Sequence, residues 1–163
     1  MNLLGKNETM KNLSFVIKMI LLAIVAIFIN ACDKDDDVIT SDLTGNWKVI
    51  SFENYETSTV NTKTEENTWS QFNNGDVTVS FTKTDLTSGE ISGIKVTNSF
   101  SGDYTIDNKG AITISNLFQT LINEPEWGRL FHSFSAAESY EIRSGYLIIF
   151  CNEKKNSITF ERI

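Results

Sequence analysis

Short segments in which apolar and polar residues alternate fill most of the chain after Ser41. The alternation is plainest in residues 77–82 and 100–106, and it is typical of strands that bury one face, because successive side chains point to opposite sides. Turn-forming residues such as Asp, Asn and Gly separate the segments. The predicted strands are residues 47–52, 77–82, 91–97, 100–106, 111–115, 140–143, 146–151 and 157–162. The chain is therefore predicted to be mainly β, a small antiparallel barrel or sandwich of about 7–8 strands.

One segment has helical spacing instead. Its apolar residues recur three and four positions apart, which predicts one short helix over residues 124–135. We expect Asn123 to cap this helix and Pro125 to lie in its first turn, where a missing N–H costs nothing. Glu124 and Glu126 would then lie at the positive end of the helix dipole. The face predicted to be buried consists of Trp127, Leu130, Phe131 and Phe134.

The alternation in residues 100–106 predicts which side chains face the core. Phe100, Tyr104 and Ile106 share one face with Gly102, and we expect this face to pack near Phe131 and its helical neighbours. A glycine on such a face marks a close backbone approach or a bend in the barrel wall. Residues 54–68 show no such pattern and lack Pro and Gly, so they are either a long loop or an irregular edge hairpin.

An uninterrupted apolar run of 11 residues, 19–29, precedes Asn30-Ala31-Cys32. It is too short for a membrane-spanning helix of about 20 residues but has the length of the apolar region of a signal peptide. With lysines before it and Ala31 before Cys32, the stretch resembles a bacterial lipoprotein signal, although Asn30 stands where a small apolar residue is commoner. The alternatives are an ordinary cleaved signal and an uncleaved anchor helix, and Met10 is an alternative start.

The lipoprotein interpretation divides the chain into three parts. Residues 1–31 are the predicted signal peptide, residues 32–42 the lipidated cysteine with an acidic spacer, and residues 43–163 the β domain. Cys32 is the predicted lipidation site, where acyl chains such as palmitate would anchor the protein in the membrane. We therefore expect a lipid-anchored protein of the outer membrane, with display on the cell surface as the finer alternative.

The charge balance excludes one class of partner. The chain has 14 basic and 21 acidic residues; residues 1–31 hold three lysines and one glutamate, so residues 32–163 carry 11 and 20 and a formal charge of −9. Such a surface repels phosphate backbones, so no nucleic-acid partner is expected. It also repels anionic lipid, so attachment to a membrane would depend on the acyl chains.

The acidic run of residues 33–37 has two remaining interpretations. A calcium loop would need a glycine at its sixth position and a glutamate at its twelfth, but Val38 and Thr44 stand there. The run resembles the acidic export tag that follows the lipidated cysteine in some surface lipoproteins. The alternative is a solvated spacer of like charges.

No catalytic, cofactor-binding or metal-binding residues are predicted. The sequence contains no Gly-rich phosphate loop, no His-Glu-x-x-His and no paired Cys-x-x-Cys, and a single histidine cannot build a multi-histidine metal site. We expect His132 to face solvent. Cys151 lies in an apolar strand-like run and is predicted to be a buried thiol without reactivity. The 18 aromatic residues (11 Phe, 4 Tyr and 3 Trp) are expected to fill the core rather than to form a ligand platform.

A family resemblance covers most of residues 43–163. The residues that carry it are Asn98, Phe100, Gly102, Tyr104, Ile106, Asp107, Ile112, Ile114, Thr120, Pro125, Leu130, Phe131, Tyr140 and Leu147, with Leu43, Gly45 and Trp47 at the opening strand. They resemble the META domain of heat-shock-type bacterial envelope lipoproteins. Two cysteines of many members are missing here, before Asn98 and near residues 121–123, so a disulfide between them cannot form. The opening residues also resemble small lipocalin-like lipoprotein domains.

Both resemblances imply a compact antiparallel barrel or sandwich without an established catalytic site. The META resemblance implies a non-enzymatic envelope lipoprotein, with a role in stress tolerance or in binding another envelope component. The alternative is a lipocalin-like carrier of a small apolar ligand. A cavity of roughly 300 Å³ or more, lined by aromatic residues, would favour the carrier, whereas a filled interior with an exposed apolar patch would favour an interaction module.

Overall fold

The computed structural model describes residues 42–163. The predicted signal peptide, Cys32 and the acidic run all lie outside the described residues. Within residues 42–163, no helix is long and apolar enough to cross a membrane.

Strands make up most of the domain. They are β1 (Gly45–Asn54), β2 (Thr59–Asn61), β3 (Thr78–Lys83), β4 (Ser88–Ile94), β5 (Ser99–Ile106), β6 (Ile112–Gln119), β7 (Ala137–Arg143), β8 (Tyr146–Cys151) and β9 (Asn156–Arg162). One short α-helix, α1 (Glu126–Leu130), continues into a 3₁₀ helix (Phe131–Ala136), and a second 3₁₀ turn spans Asn73–Gly75.

Eight of the strands form one antiparallel sheet in the order β6-β5-β4-β3-β1-β9-β8-β7. Each of β3–β6 and β7–β9 is a run of hairpins, and β1 joins the two runs at the centre. The short β2 pairs with the end of β1 outside this path. Residues 54–61 thus form a hairpin, one of the two structures expected for residues 54–68.

The sheet curls into a half-barrel. Its two edge strands meet at one end, where Ala111 bridges Ser139 and the Tyr140 amide donates to the Gly110 carbonyl at 2.8 Å. The mainly β fold, the strand number and the single short helix are confirmed, and the curled single sheet resolves the choice between barrel and sandwich.

Aromatic side chains fill the inside of the curl. Phe131 and Phe134 stack with ring centroids 4.6 Å apart, and Phe100 of β5 lies 5.2 Å from Phe131. Trp127 meets Phe52 of β1 edge-on at 4.8 Å. The predicted packing of the inner face of β5 against the helical segment is therefore confirmed.

The helical segment is not the continuous helix predicted for residues 124–135. The α-helix is limited to Glu126–Leu130, and the 3₁₀ helix follows it. Asn123 is not the cap: Pro125 holds the N-cap position, and no side chain caps the helix. The predicted apolar face is nevertheless buried at Trp127, Phe131 and Phe134, because three- and four-residue spacings differ little over so short a segment.

The strand predicted at residues 91–97 is shifted to Ser88–Ile94. It ends two residues before Val96, which adopts a φ of 63°. Its first residues were not predicted because Gly89 and Gly93 interrupt the alternation of apolar and polar residues. Both glycines have a spatial role: a β-carbon at Gly89 would lie 2.5 Å from the Tyr104 ring, and one at Gly93 would lie 2.6 Å from the Phe100 ring.

The strand predicted at residues 111–115 extends to Gln119 as β6. Its register with β5 shifts between Ser101 and Asp103, and Asn116 has a φ of 49° at this bulge. The bulge breaks the alternation and so hides the second half of the strand. Gly102 lies opposite it, where a β-carbon would be 2.8 Å from the Ser115 carbonyl oxygen, so the close backbone approach predicted at Gly102 is confirmed.

A candidate interaction surface at the β6 edge

Cys151 and His132, the two side chains considered for a chemical role, do not form a reactive site. Cys151 is fully buried, and desolvation, followed by the nearby charge of Glu138, raises the pKa of its thiol from 9.0 to about 12. His132 is exposed. Both placements agree with the sequence-based expectations. In the part of the chain that the structure describes, no group of three or more His, Cys, Asp or Glu residues could hold a metal ion.

A recess of about 310 Å³ opens beside the β3–β4 and β5–β6 turns. Four charged residues line it, Asp42, Lys83, Asp85 and Asp107, and Tyr104 is the one aromatic among its lining residues. Its volume reaches the roughly 300 Å³ expected of a carrier cavity, and Leu43, Leu86 and Ile106 also line it. The aromatic lining expected of a carrier is limited to Tyr104.

The most unusual surface lies along β6 and the residues that follow it. Leu117 is 36% exposed, Phe118 72%, Leu121 88% and Ile122 64%. We call these four residues the β6 edge surface. No charged residue and no proline occurs from Ile112 to Asn123. Exposed apolar residues are common singly, whereas several of them close together are typical of interaction sites.

The β6 edge surface wraps around both faces of the sheet. Leu117 lies on the inner face, beside Phe100 and Phe131 at a small recess. Phe118 lies on the outer face, beside Ser101 at a shallow concavity of about 320 Å³. The surface is therefore the rim of a sheet rather than a flat patch.

A side-chain amide holds the end of this surface in place. The Ile122 amide donates to Asn98 Oδ1 at 2.6 Å, and Asn98 Nδ2 donates to the Ile122 carbonyl at 2.9 Å. Asn98 thus pairs with Ile122 as a neighbouring peptide group would. The Thr120 hydroxyl also donates to Asn98 Oδ1, at 3.1 Å.

The Glu124 carboxylate holds Asn98 in position through hydrogen bonds. It accepts hydrogen bonds from the Thr97 amide at 3.0 Å, the Asn98 amide at 3.2 Å and the Asn98 side chain. Glu124 is only 8% exposed, and no Lys or Arg within residues 42–163 forms an ion pair with it. Hydrogen bonds from N–H groups therefore compensate its burial.

Gly128 makes room for this carboxylate. A β-carbon there would overlap the Glu124 side chain, which accounts for a glycine inside α1 despite its cost of about 1 kcal/mol relative to alanine. Sequence reasoning placed Glu124 in the first helical turn and gave Asn98 no structural role. The one signal that could have revealed this surface is the long uncharged run of residues 112–123.

An acidic pair lies beside the outer side of the surface. Glu90 of β4 and Asp103 of β5 are direct cross-strand neighbours, an arrangement that is unfavourable for like charges. Asn116 Nδ2 donates to Asp103 Oδ2 at 2.7 Å. Neither carboxylate forms an ion pair with any residue from 42 to 163.

Comparison with known proteins identifies the fold and the family. A search of the curated proteins finds no match. A crystal structure of a DUF4847 family protein from Bacteroides vulgatus is similar, with a TM-score of 0.52, 19% sequence identity and coverage of 76% of this chain and 96% of that one. At this identity the likeness concerns the fold alone. The family model of the META domain matches residues 41–162, and the chain therefore belongs to the META domain family.

Proposed function

We propose that this protein is a non-enzymatic lipoprotein of the cell envelope, anchored to the outer membrane through lipid on Cys32. The proposed anchor rests on one sequence feature, a short apolar run with lysines before it and Ala31-Cys32 after it. An acyl chain contributes about 0.8 kcal/mol per buried methylene, so several chains on one cysteine hold a domain stably. A chain of this net charge needs such an anchor at an anionic surface.

In this proposal the META domain binds another envelope component through the β6 edge surface. The aromatic filling of the curl, and a recess near Tyr104 that has no second aromatic side chain in its lining, support a binding module over a lipocalin-like carrier. The buried, protonated thiol of Cys151 is unsuited to nucleophilic chemistry. A role in stress tolerance belongs to the same proposal through the resemblance to heat-shock-type envelope lipoproteins.

A Cys32→Ser variant tests the anchor. We expect it to lose incorporation of labelled palmitate and to leave the membrane fraction, whereas a Cys151→Ser variant in the same cells keeps both. If the Cys32→Ser protein is processed normally and remains in the membrane fraction, the lipoprotein assignment is wrong.

A further inference from the structure

We propose that β6 accepts an extended segment of a partner protein as an added strand, with apolar side chains against the β6 edge surface and a Lys or Arg that reaches Asp103. This inference rests on the proposed function, because it names the kind of envelope component that the domain binds. The occupant is a peptide strand of apolar and basic character.

The backbone of β6 is the first reason. Among residues 42–163, β6 pairs with β5 on one side, and on its other side only Ala111, just before the strand, forms a bridge to β7. An edge strand presents a row of N–H and C=O groups that can pair with another strand. The recess beside Leu117 and the concavity beside Phe118 receive the alternate side chains of such a strand on the two faces of the sheet.

The contrast with the other edge of the same sheet is the second reason. The β7 edge carries Glu138, Glu141 and Arg143, and charges of this kind protect edges against pairing. The β6 edge carries none, although its side chains are exposed along most of its length. The charged side chain nearest this edge comes from outside β6: Lys95 Nζ donates to Gln119 Oε1 at 2.6 Å. Because β6 itself contributes only uncharged side chains, its edge is better suited to strand addition than the β7 edge.

The described chain begins at the end of the sheet remote from the β6 edge surface. Asp42, where the described chain begins, lies beside Ile106 and Asp107 at one end of β5. Phe118 and Gln119 pair with the opposite end of β5, at Ser101 and Phe100, about 20 Å away along the strand.

Charge favours a strand from a different protein over a second copy of this chain as the occupant. Neighbouring strands lie about 4.8 Å apart, so an added strand lies two spacings from β5, and a Lys or Arg side chain can extend across Asn116 to Asp103. The sequence of β6 contains no basic residue, so a second copy pairing through β6 would leave Asp103 and Glu90 without a cation. It would also bring together two acidic domains.

The test uses residues 32–163 with Cys32→Ser, and its result is therefore independent of lipidation. The probe is the peptide Thr-Val-Thr-Val-Lys-Val-Thr-Val-Thr, and the matched peptide has Glu in place of Lys. We expect amide chemical shifts to change along residues 112–123, with the Lys peptide binding about tenfold more tightly than the Glu peptide. In an Asp103→Asn variant the two affinities should converge to within about twofold.

Phe118→Ala should weaken the Lys peptide at least about fivefold, whereas Tyr146→Ala, which removes an exposed aromatic ring from β8, should leave its affinity unchanged. Shift changes that leave residues 112–123 unaffected, equal affinity for both peptides, or full binding by Phe118→Ala would overturn the proposal. The same residues responding to protein concentration alone would assign the edge to a second copy. A response to phosphatidylcholine vesicles alone would assign it to lipid.

Discussion

At the scale of single residues, two phenylalanines differ in where their rings lie: one ring is in the core and the other is on the surface. Phe131 is 3% exposed and contacts the rings of Phe100, Phe134 and Phe160, whereas Phe118 is 72% exposed. Removing the Phe131 ring leaves a cavity among aromatic side chains. We expect Phe131→Ala to lower the free energy of unfolding by about 3–5 kcal/mol, and urea denaturation measures the change.

Phe118→Ala is the matched control. Because its ring contributes little to the core, we expect a change within about 0.5 kcal/mol. A large loss of stability in Phe118→Ala, or a negligible one in Phe131→Ala, would contradict the packing described for the two rings.

Burial of the Cys151 thiol makes the free energy of unfolding depend on pH. Its pKa is raised from 9.0 to about 12, mainly by desolvation, so above about pH 9 the folded state holds the thiol proton while the unfolded state releases it. The stabilisation from the neutral thiol is complete below about pH 9 and is lost as the pH rises towards 12. We expect the stability difference between the Cys32→Ser protein and its Cys151→Ala derivative to shrink over this range.

A thiol reagent gives a second measurement on the same residue. In the Cys32→Ser protein Cys151 is the one remaining cysteine, and we expect it to react at pH 8 only after unfolding by denaturant. Rapid reaction in the native state would show that the thiol is accessible.

At the scale of elements, the Asn98 amide determines where the chain after β6 lies. It forms two hydrogen bonds with the backbone of Ile122. Asn98→Ala removes both, together with the side-chain hydrogen bond to the buried Glu124 carboxylate, so we expect a loss of about 1–3 kcal/mol. Hydrogen exchange at the Ile122 amide should accelerate, whereas exchange in Ser101→Ala, on the exposed outer face of β5, should remain as in the wild type. Unchanged exchange in Asn98→Ala would contradict the pairing.

The strands and the helix differ in how clearly the sequence predicts them. Alternation located β3 and most of β5, because each buries one face along its length. It missed the first residues of β4, where Gly89 and Gly93 leave space for rings from β5. The helix start was misplaced because Asn123 is a good local cap, whereas the observed start is set by the tertiary contacts of Glu124 with Thr97 and Asn98.

The β6 edge surface was not predicted for a similar reason. The bulge at Asn116 ends the alternation, so the exposed half of the strand shows no strand periodicity. Its lack of charge is visible in the sequence, but exposure is a property of the sheet order, which places β6 at an edge.

At the scale of the whole molecule, one prediction concerns where the domain is displayed, and it depends on the acidic run of residues 33–37. If the run is an export tag, replacing Asp35, Asp36 and Asp37 with alanine should preserve lipidation but protect the domain from protease added to whole cells. The Cys32→Ser protein serves as a control for loss of anchoring. Unchanged protease access would identify the run as a solvated spacer.

We propose that lipid on Cys32 holds the META domain at the membrane, and mass spectrometry of the membrane-extracted protein tests this proposal most directly. We expect an N-terminal peptide that begins at Cys32 and carries the added mass of diacylglyceryl and acyl groups. A peptide that begins elsewhere, or an unmodified Cys32 in the membrane-bound protein, would contradict it.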